Sequence, residues 1–150
     1  MSKRTLVVMA TVPNTSIHVT FAFKHACNED EEHTLLEEVK KEMGELLPIR
    51  CRFGDERMVG PNKDMPAYSI EICDQSTLER LQKFWHRHQR REEGARMFDF
   101  TPHITLKSDK KRKDADALKH QHNNGEFEIR HVVLRTLQDK KVLLELENSK

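Results

Sequence analysis

Two short stretches, IHVTF at residues 17–21 and HITLK at residues 103–107, repeat the pattern His-apolar-Thr-apolar 85 positions apart. With 9 His and 9 Thr in 150 residues, chance supplies about one His-x-Thr in every two chains of this composition. One copy would be noise. Two copies, each inside a strand-like run and with no third elsewhere, call for a common cause. Alternate side chains of a strand share a face. Ile17, Val19, Phe21 and Phe23 are therefore expected to face a core, with His18, Thr20, Ala22 and Lys24 on the other side. In the second copy Ile104 and Leu106 are the buried set, and His103, Thr105 and Lys107 share the opposite face. Each motif then presents one imidazole and one hydroxyl side by side, about 7 Å apart along the strand.

The surrounding chain reads as one domain over residues 1–150, long enough to bury a core without staples. Charged residues make up 34% and hydrophobic ones 36%, with a formal net charge of +1. A polyanionic partner would have to be met by a local patch. Cys27, Cys51 and Cys73 have no metal-ligand spacing and cannot all pair, which fits a reducing compartment. The apolar run after the basic start MSKR is broken by Thr11 and Pro13. It is too short for a signal peptide, and nothing approaches a membrane span. The expectation is a cytoplasmic protein, in a host cell if its source is a virus or phage, with no membrane partner.

Periodicity gives the elements. TLVVMATV (5–12) and IHVTFAFK (17–24) read as a hairpin around Pro13–Ser16. Leu35, Leu36, Val39, Met43, Leu46 and Leu47 keep helical spacing over Glu29–Leu47, and Pro48 stops the run. Residues 49–59 alternate as a strand kinked at Gly54, and 67–73 form another. Asp74 or Ser76 caps a helix that buries Leu78, Leu81, Phe84 and Trp85, runs to about Glu93 and closes at Gly94. A short helix is expected over Asp114–His120, ending at Asn123-Asn124-Gly125. Two closing strands, 126–137 and 140–147, turn at Gln138-Asp139. The sum is an α+β fold in which strands with a His-x-Thr, a helix and further strands recur in each half, antiparallel, with helices outside.

Two histidines near neutral pKa can hold opposite protonation states together, one as base and one as acid. Two hydroxyls beside them can donate to non-bridging phosphate oxygens as charge builds there. A zinc site would want further His, Cys or carboxylate ligands at motif spacing. A serine triad would want a nucleophile elbow. Neither is present. The plain alternative is that Thr forms strands well and that His18 and His103 sit on exposed faces.

The two motifs, the phrase FTPHITL (100–106) and the closing strands resemble the two-histidine (2H) phosphoesterase superfamily. This superfamily includes LigT-like 2′,3′-cyclic phosphodiesterases and 2′-5′ phosphodiesterases. The resemblance covers the whole chain. It implies a bilobal, pseudo-twofold fold of two antiparallel sheets with outer helices and an active-site groove between the lobes. It also implies metal-independent hydrolysis with no cofactor. His18 and His103 would be the acid–base pair, in either order, and Thr20 and Thr105 would hold the phosphate. RNA ends or a small oligonucleotide are the expected substrates: a 2′,3′-cyclic phosphate, a 2′-5′-linked oligoadenylate or a cyclic oligonucleotide. A monomer is expected. The alternative is a non-catalytic RNA- or nucleotide-binding module using the same groove.

Further candidates have weaker grounds. Lys24 and Lys107 could reach a phosphate or be solvated strand ends. Tyr68, Phe98 and Phe100 could stack on a base, with a core role the readier reading for the phenylalanines. The basic runs RLQKFWHRHQRR (80–91) and KSDKKRK (107–113) could track a phosphate backbone or be wet surface. His86 and His88, two apart on a helix, point apart and do not suggest a shared metal.

Overall fold

The computed structural model describes residues 4–60, 62–88, 100–121 and 125–148, apart from the side chains of 25 and 26. Among the described residues, eight strands and three helices follow along the chain. They are β1 (Arg4–Thr11), β2 (His18–Cys27), α1 (Glu29–Leu46), β3 (Ile49–Val59), β4 (Met65–Ile72), α2 (Gln75–His88), β5 (His103–Thr105), α3 (Asp109–Gln121), β6 (Glu126–Ile129), β7 (His131–Thr136) and β8 (Val142–Glu147). Two antiparallel four-stranded sheets result, ordered β2-β1-β7-β8 and β5-β4-β3-β6. The correspondence is pseudo-twofold: each sheet has a His-x-Thr strand at one edge, paired to the strand that precedes it in the chain. Those two edges, β2 and β5, lie against each other. None of the described helices is long and apolar enough to cross a membrane.

One hydrophobic cluster spans both lobes. Leu6, Val8, Ala10, Val19 and Phe21 of the first sheet join Ile49, Cys51, Phe53, Ile70 and Ile104 of the second, with Leu35, Val39 and Met43 of α1 and Leu81 and Phe84 of α2. The helices thus cover the faces turned away from His18 and His103. Helix α1 starts where Asn28 accepts the Glu31 amide at 2.9 Å while Glu31 returns a carboxylate to the Asn28 amide, a capping box. Helix α2 packs on both β2 and β4, across the seam between the sheets. Its cap is Asp74, which accepts the Ser76 and Thr77 amides at 2.9 and 3.2 Å.

Two expectations change. The strand expected over 126–137 is two strands: β6 pairs with β3, and β7 pairs with β1. Phe127 and Ile129 are buried, then Val132 and Leu134, so the buried parity slips by one at Arg130, where the chain crosses from sheet to sheet. The helix expected at Asp114–His120 begins earlier, at Asp109, capped by the Ser108 hydroxyl. The kink expected at Gly54 is a register shift between Phe53 and Glu56. A Cβ on Gly54 would lie 2.3 Å from the Ser69 hydroxyl and 3.3 Å from the Ser69 carbonyl oxygen, so any side chain there would have to displace Ser69. The expected run of α2 to Glu93 and its closure at Gly94 lie outside the described residues. So do Phe98, the 97–99 part of the second motif and Asn123-Asn124.

Helix α3 is tied to the start of the first motif. The amide and hydroxyl of Ser16 both donate to one Asp114 carboxylate oxygen, at 2.8 and 2.7 Å. The Ser16 amide, then its hydroxyl, hold the Asp114 carboxyl below the usual carboxylate range. Because the folded value is depressed, the stabilisation is fully present above the unfolded value, about 4, and is lost as pH falls through the folded one. Asp114→Ala should therefore lower Tm at neutral pH, and the gap to wild type should close in acid. Thermal unfolding followed from about pH 2 to pH 7 checks this; a gap independent of pH would mean that the carboxylate charge contributes nothing. Leu81→Ala, which opens the fully buried seam under α2, should cost about 2–5 kcal/mol. The check is the urea midpoint at an unchanged m-value.

Candidate active site

Cross-strand partners in an antiparallel pair share a face, so the registers show what surrounds each motif. His18 is opposite Thr11, and Thr11 is opposite His131 of β7. Thr20 is opposite Met9, and Met9 is opposite Val133. This face therefore carries His18, Thr20, Thr11 and His131, and further along a small apolar group of Val7, Met9 and Val133 with Phe23 packed on it. On the other sheet His103 is opposite Ser69, and Thr105 is opposite Ala67, which is opposite Arg57. His18, Thr20, His103 and Thr105 are all partly exposed, on two edge strands in mutual contact.

His18 is pushed below the ordinary histidine value, first by burial and then by the positive charges of Lys111 and Arg135. A hydrogen bond that the ring gives to the Ser16 backbone opposes this, and His103 adds to the lowering. Lys111 stands near His18 because Asp114, three residues on along α3, is fastened to Ser16. His103 leans on the backbone two residues back in the same way: its Nδ1–H donates to the Thr101 carbonyl at 2.8 Å. A carbonyl can only accept, so Nε2 is the nitrogen left for chemistry. The arrangement can take a proton at one ring, give one at the other, and offer hydroxyl donors between. Among the described residues no three His, Cys, Asp or Glu side chains converge as a metal site would need.

The weaker candidates separate. Lys24 is not on the motif face. The register slips between Val8/Ala22 and Met9/Thr20, leaving Phe21 as an extra residue. Beyond this bulge the parity inverts: Ala22 joins the core, and Phe23 joins the apolar group beside Met9. Lys24 follows Ala22 to the helix-covered side, where its charge lowers His88 of α2. The expectation that Phe23 faces the core and Lys24 the site is corrected by that one bulge. Lys107 lies beyond the end of β5, exposed. Tyr68 is 8% exposed. Its ring meets Phe53 edge-on, Lys119 sits over its face at 4.6 Å, and its hydroxyl donates to Asp116 at 2.6 Å. It is a strut between β4 and α3, and the base-stacking role expected of it is withdrawn. Phe100 is a core residue between Phe21 and Trp85.

The basic runs are partly neutralised by ion pairs. Arg80 meets Glu42 and Glu45, Arg87 meets Glu38, Arg112 meets Glu56, and Lys110 meets Asp114. Helix α2 faces the acidic side of α1 and does not present a basic stripe over residues 80–88. Residues 89–91 of that run lie outside the described residues. His88 is 2% exposed and bonded through Nε2 to Glu38 at 2.5 Å, so it belongs to this packing.

The residue that periodicity did not single out is His131. Its Nε2–H donates to Glu145 at 2.6 Å, so in the neutral ring Nδ1 accepts the hydroxyl hydrogen of Thr11. This orders a side chain directly opposite His18. The signal was the one-residue slip at Arg130, which puts His131 on the face opposite the buried Val132 and Leu134 and was hidden while 126–137 was read as one strand.

Comparison with known proteins agrees with this fold. The structure is similar over 100% of both chains to Escherichia coli LigT complexed with NADP+ (TM-score 0.57, 12% identity). It is similar, over 100% of this chain and 99% of the other, to LigT in its apo form (TM-score 0.53, 14% identity). A further phosphoesterase crystal structure matches over 98% of this chain and 99% of the other (TM-score 0.53, 13% identity). At these identities the likeness shows the fold. A search of curated proteins finds no sequence match. The sequence itself matches the 2'-5' RNA ligase superfamily, the 2H phosphoesterases, over residues 10–141, and the chain belongs to that family.

Proposed function

We propose that the protein is a metal-independent phosphodiesterase that cleaves RNA-derived or nucleotide phosphodiesters with its two His-x-Thr motifs. What supports this most is the contact between the edge strands β2 and β5, which carry the two His-x-Thr motifs, since two bases brought to one groove are what paired acid–base chemistry requires. His18, held neutral by burial and by Lys111 and Arg135, takes the proton from the attacking water or ribose hydroxyl. The new P–O bond forms as the bond to the leaving oxygen breaks. His103 gives that oxygen a proton from Nε2 while Nδ1 stays on the Thr101 carbonyl. Thr20 and Thr105 donate to the non-bridging oxygens.

Nucleotide substrates are favoured by the relatives, since LigT has been crystallised with NADP+ and with 3'-AMP. Among 2′,3′-cyclic phosphates, 2′-5′-linked oligoadenylates and cyclic oligonucleotides, the deciding experiment is a panel of all three with product identification. The rival reading, a non-catalytic RNA-binding module, relied on the basic helix, and the pairing of Arg80 and Arg87 with α1 weighs against it.

On whichever substrate the wild type cuts, in excess EDTA, His18→Ala and His103→Ala should each lower kcat by about 10²–10⁴-fold. The double variant should be little worse than either, because the pair acts as a unit. Near-wild-type turnover in either single variant, or activity that chelator removes and a divalent ion restores, refutes the reading.

The pH profile offers a second check. The base must be neutral, so kcat/KM should rise with pH along an acid limb lying below the ordinary histidine value, about 6.5. Lys111→Gln removes a charge that lowers His18, so the limb should move to higher pH, while burial keeps part of the depression. An unmoved limb would mean that His18 is not the titrating base.

A further inference from the structure

Of the described arginines, Arg4, Arg52, Arg80, Arg87, Arg112 and Arg130 each meet a carboxylate within 4 Å, whereas Arg50, Arg57 and Arg135 make no ion pair among the described residues. Arg57 is exposed, and the β3–β4–β5 register sets it on the same face as Thr105, two strands away, or about 10 Å between the Cα atoms. Lys63, which follows the Gly60 turn, likewise makes no ion pair among the described residues. Of the unpaired cations, these two line one cleft with His103, and unpaired cations gathered on one cleft are what a site for an anion offers.

Between these cations and His103 lies a cleft of ≈ 690 Å³ lined by Arg57, Met58, Lys63, Ser69, Trp85 and His103, among others. That volume is within the about 300–1,000 Å³ of pockets that enclose a ligand of drug or nucleotide size. Its walls are mixed in a particular way. Met58, 50% exposed, and Trp85, tilted on Phe100, make an apolar wall. The cations stand along the β3–β4 end, and the catalytic imidazole stands at the other. An apolar wall with a cationic rim suits a base with a phosphate attached beyond it.

We propose that this cleft is a nucleotide subsite next to the scissile phosphate, and that Arg57 and Lys63 bind a second phosphate one nucleotide further along. The inference rests on the phosphodiesterase reading and narrows it. The substrate is an oligonucleotide that carries a phosphate beyond the one cut, in preference to a lone cyclic mononucleotide.

The test is equilibrium binding, which reads the subsite whether or not any bond is cleaved. Wild type and Arg57→Gln are titrated by calorimetry with adenosine 3′-monophosphate, adenosine 5′-monophosphate and adenosine 3′,5′-bisphosphate. Wild type should bind the bisphosphate at least about tenfold more tightly than either monophosphate, the scale of one charge-assisted contact. Arg57→Gln should lose most of that preference, and Arg57→Lys should keep part of it. A wild type without preference for the second phosphate overturns the inference. So does an Arg57→Gln variant that weakens all three ligands by the same factor, since Arg57 would then meet the scissile phosphate itself. If the bisphosphate preference is found but no diester is cut, the subsite stands and the phosphodiesterase reading fails.

Discussion

The seam between β2 and β5 is the constraint on which the site depends. Each lobe contributes one His-x-Thr motif, so on the proposed mechanism neither is competent until the two edge strands are held together. What holds them is apolar and mostly buried behind the two motifs. Phe21, in the strand that carries His18, meets Phe100 edge-on at 6.2 Å, just before the strand that carries His103. Phe100 in turn rests on Trp85 of α2, and α2 spans β2 and β4. The backbone closes the arrangement: the Ile70 amide donates to Pro102 and the Leu106 amide to Pro66, so the three-residue β5 is anchored at both ends. Burying aromatic area behind the groove leaves its polar face open, and the distance between the two rings becomes a property of the core.

Charge is distributed to match. Six arginines are paired with carboxylates away from the site, and helix α2 is nearly neutralised by α1. The groove receives part of the positive charge that remains: Lys111 and Arg135 beside His18, and Arg57 and Lys63 beside His103. A net charge of +1 therefore conceals a local field suited to a phosphodiester. Behind burial, Lys111 and Arg135 also lower His18, so a substitution of either would disturb the anion field and the base together.

How far the sequence discloses this varies with the range of the interaction. Local signals served well: alternation gave the hairpin and both His-x-Thr faces, Asp74 marked a helix start, and Gly54 marked the bulge. The bulge at Phe21 had no comparable mark, since no glycine stands there, and it moved Lys24 to the other side of its sheet. The crossing at Arg130 was written as a one-residue slip in buried parity, a signal that a single long β-rich run obscures. Tyr68 and the basic helix were misread for a further reason. Their roles are set by partners far along the chain, Asp116 and Lys119 for one, Glu38 and Glu42 for the other, and periodicity carries no information about such partners.

The central claim is that the histidines of two distant motifs share one groove closely enough for the charge of His103 to reach His18. Imidazole proton resonances of His18, followed by NMR from about pH 4 to pH 9 around the usual histidine value, test it directly. In wild type His18 should titrate below about 6.5, and in His103→Gln its midpoint should move upward, because a charge that opposed its protonation is gone. The same midpoint in both proteins would mean that no field crosses the groove, and the two motifs would not form one site.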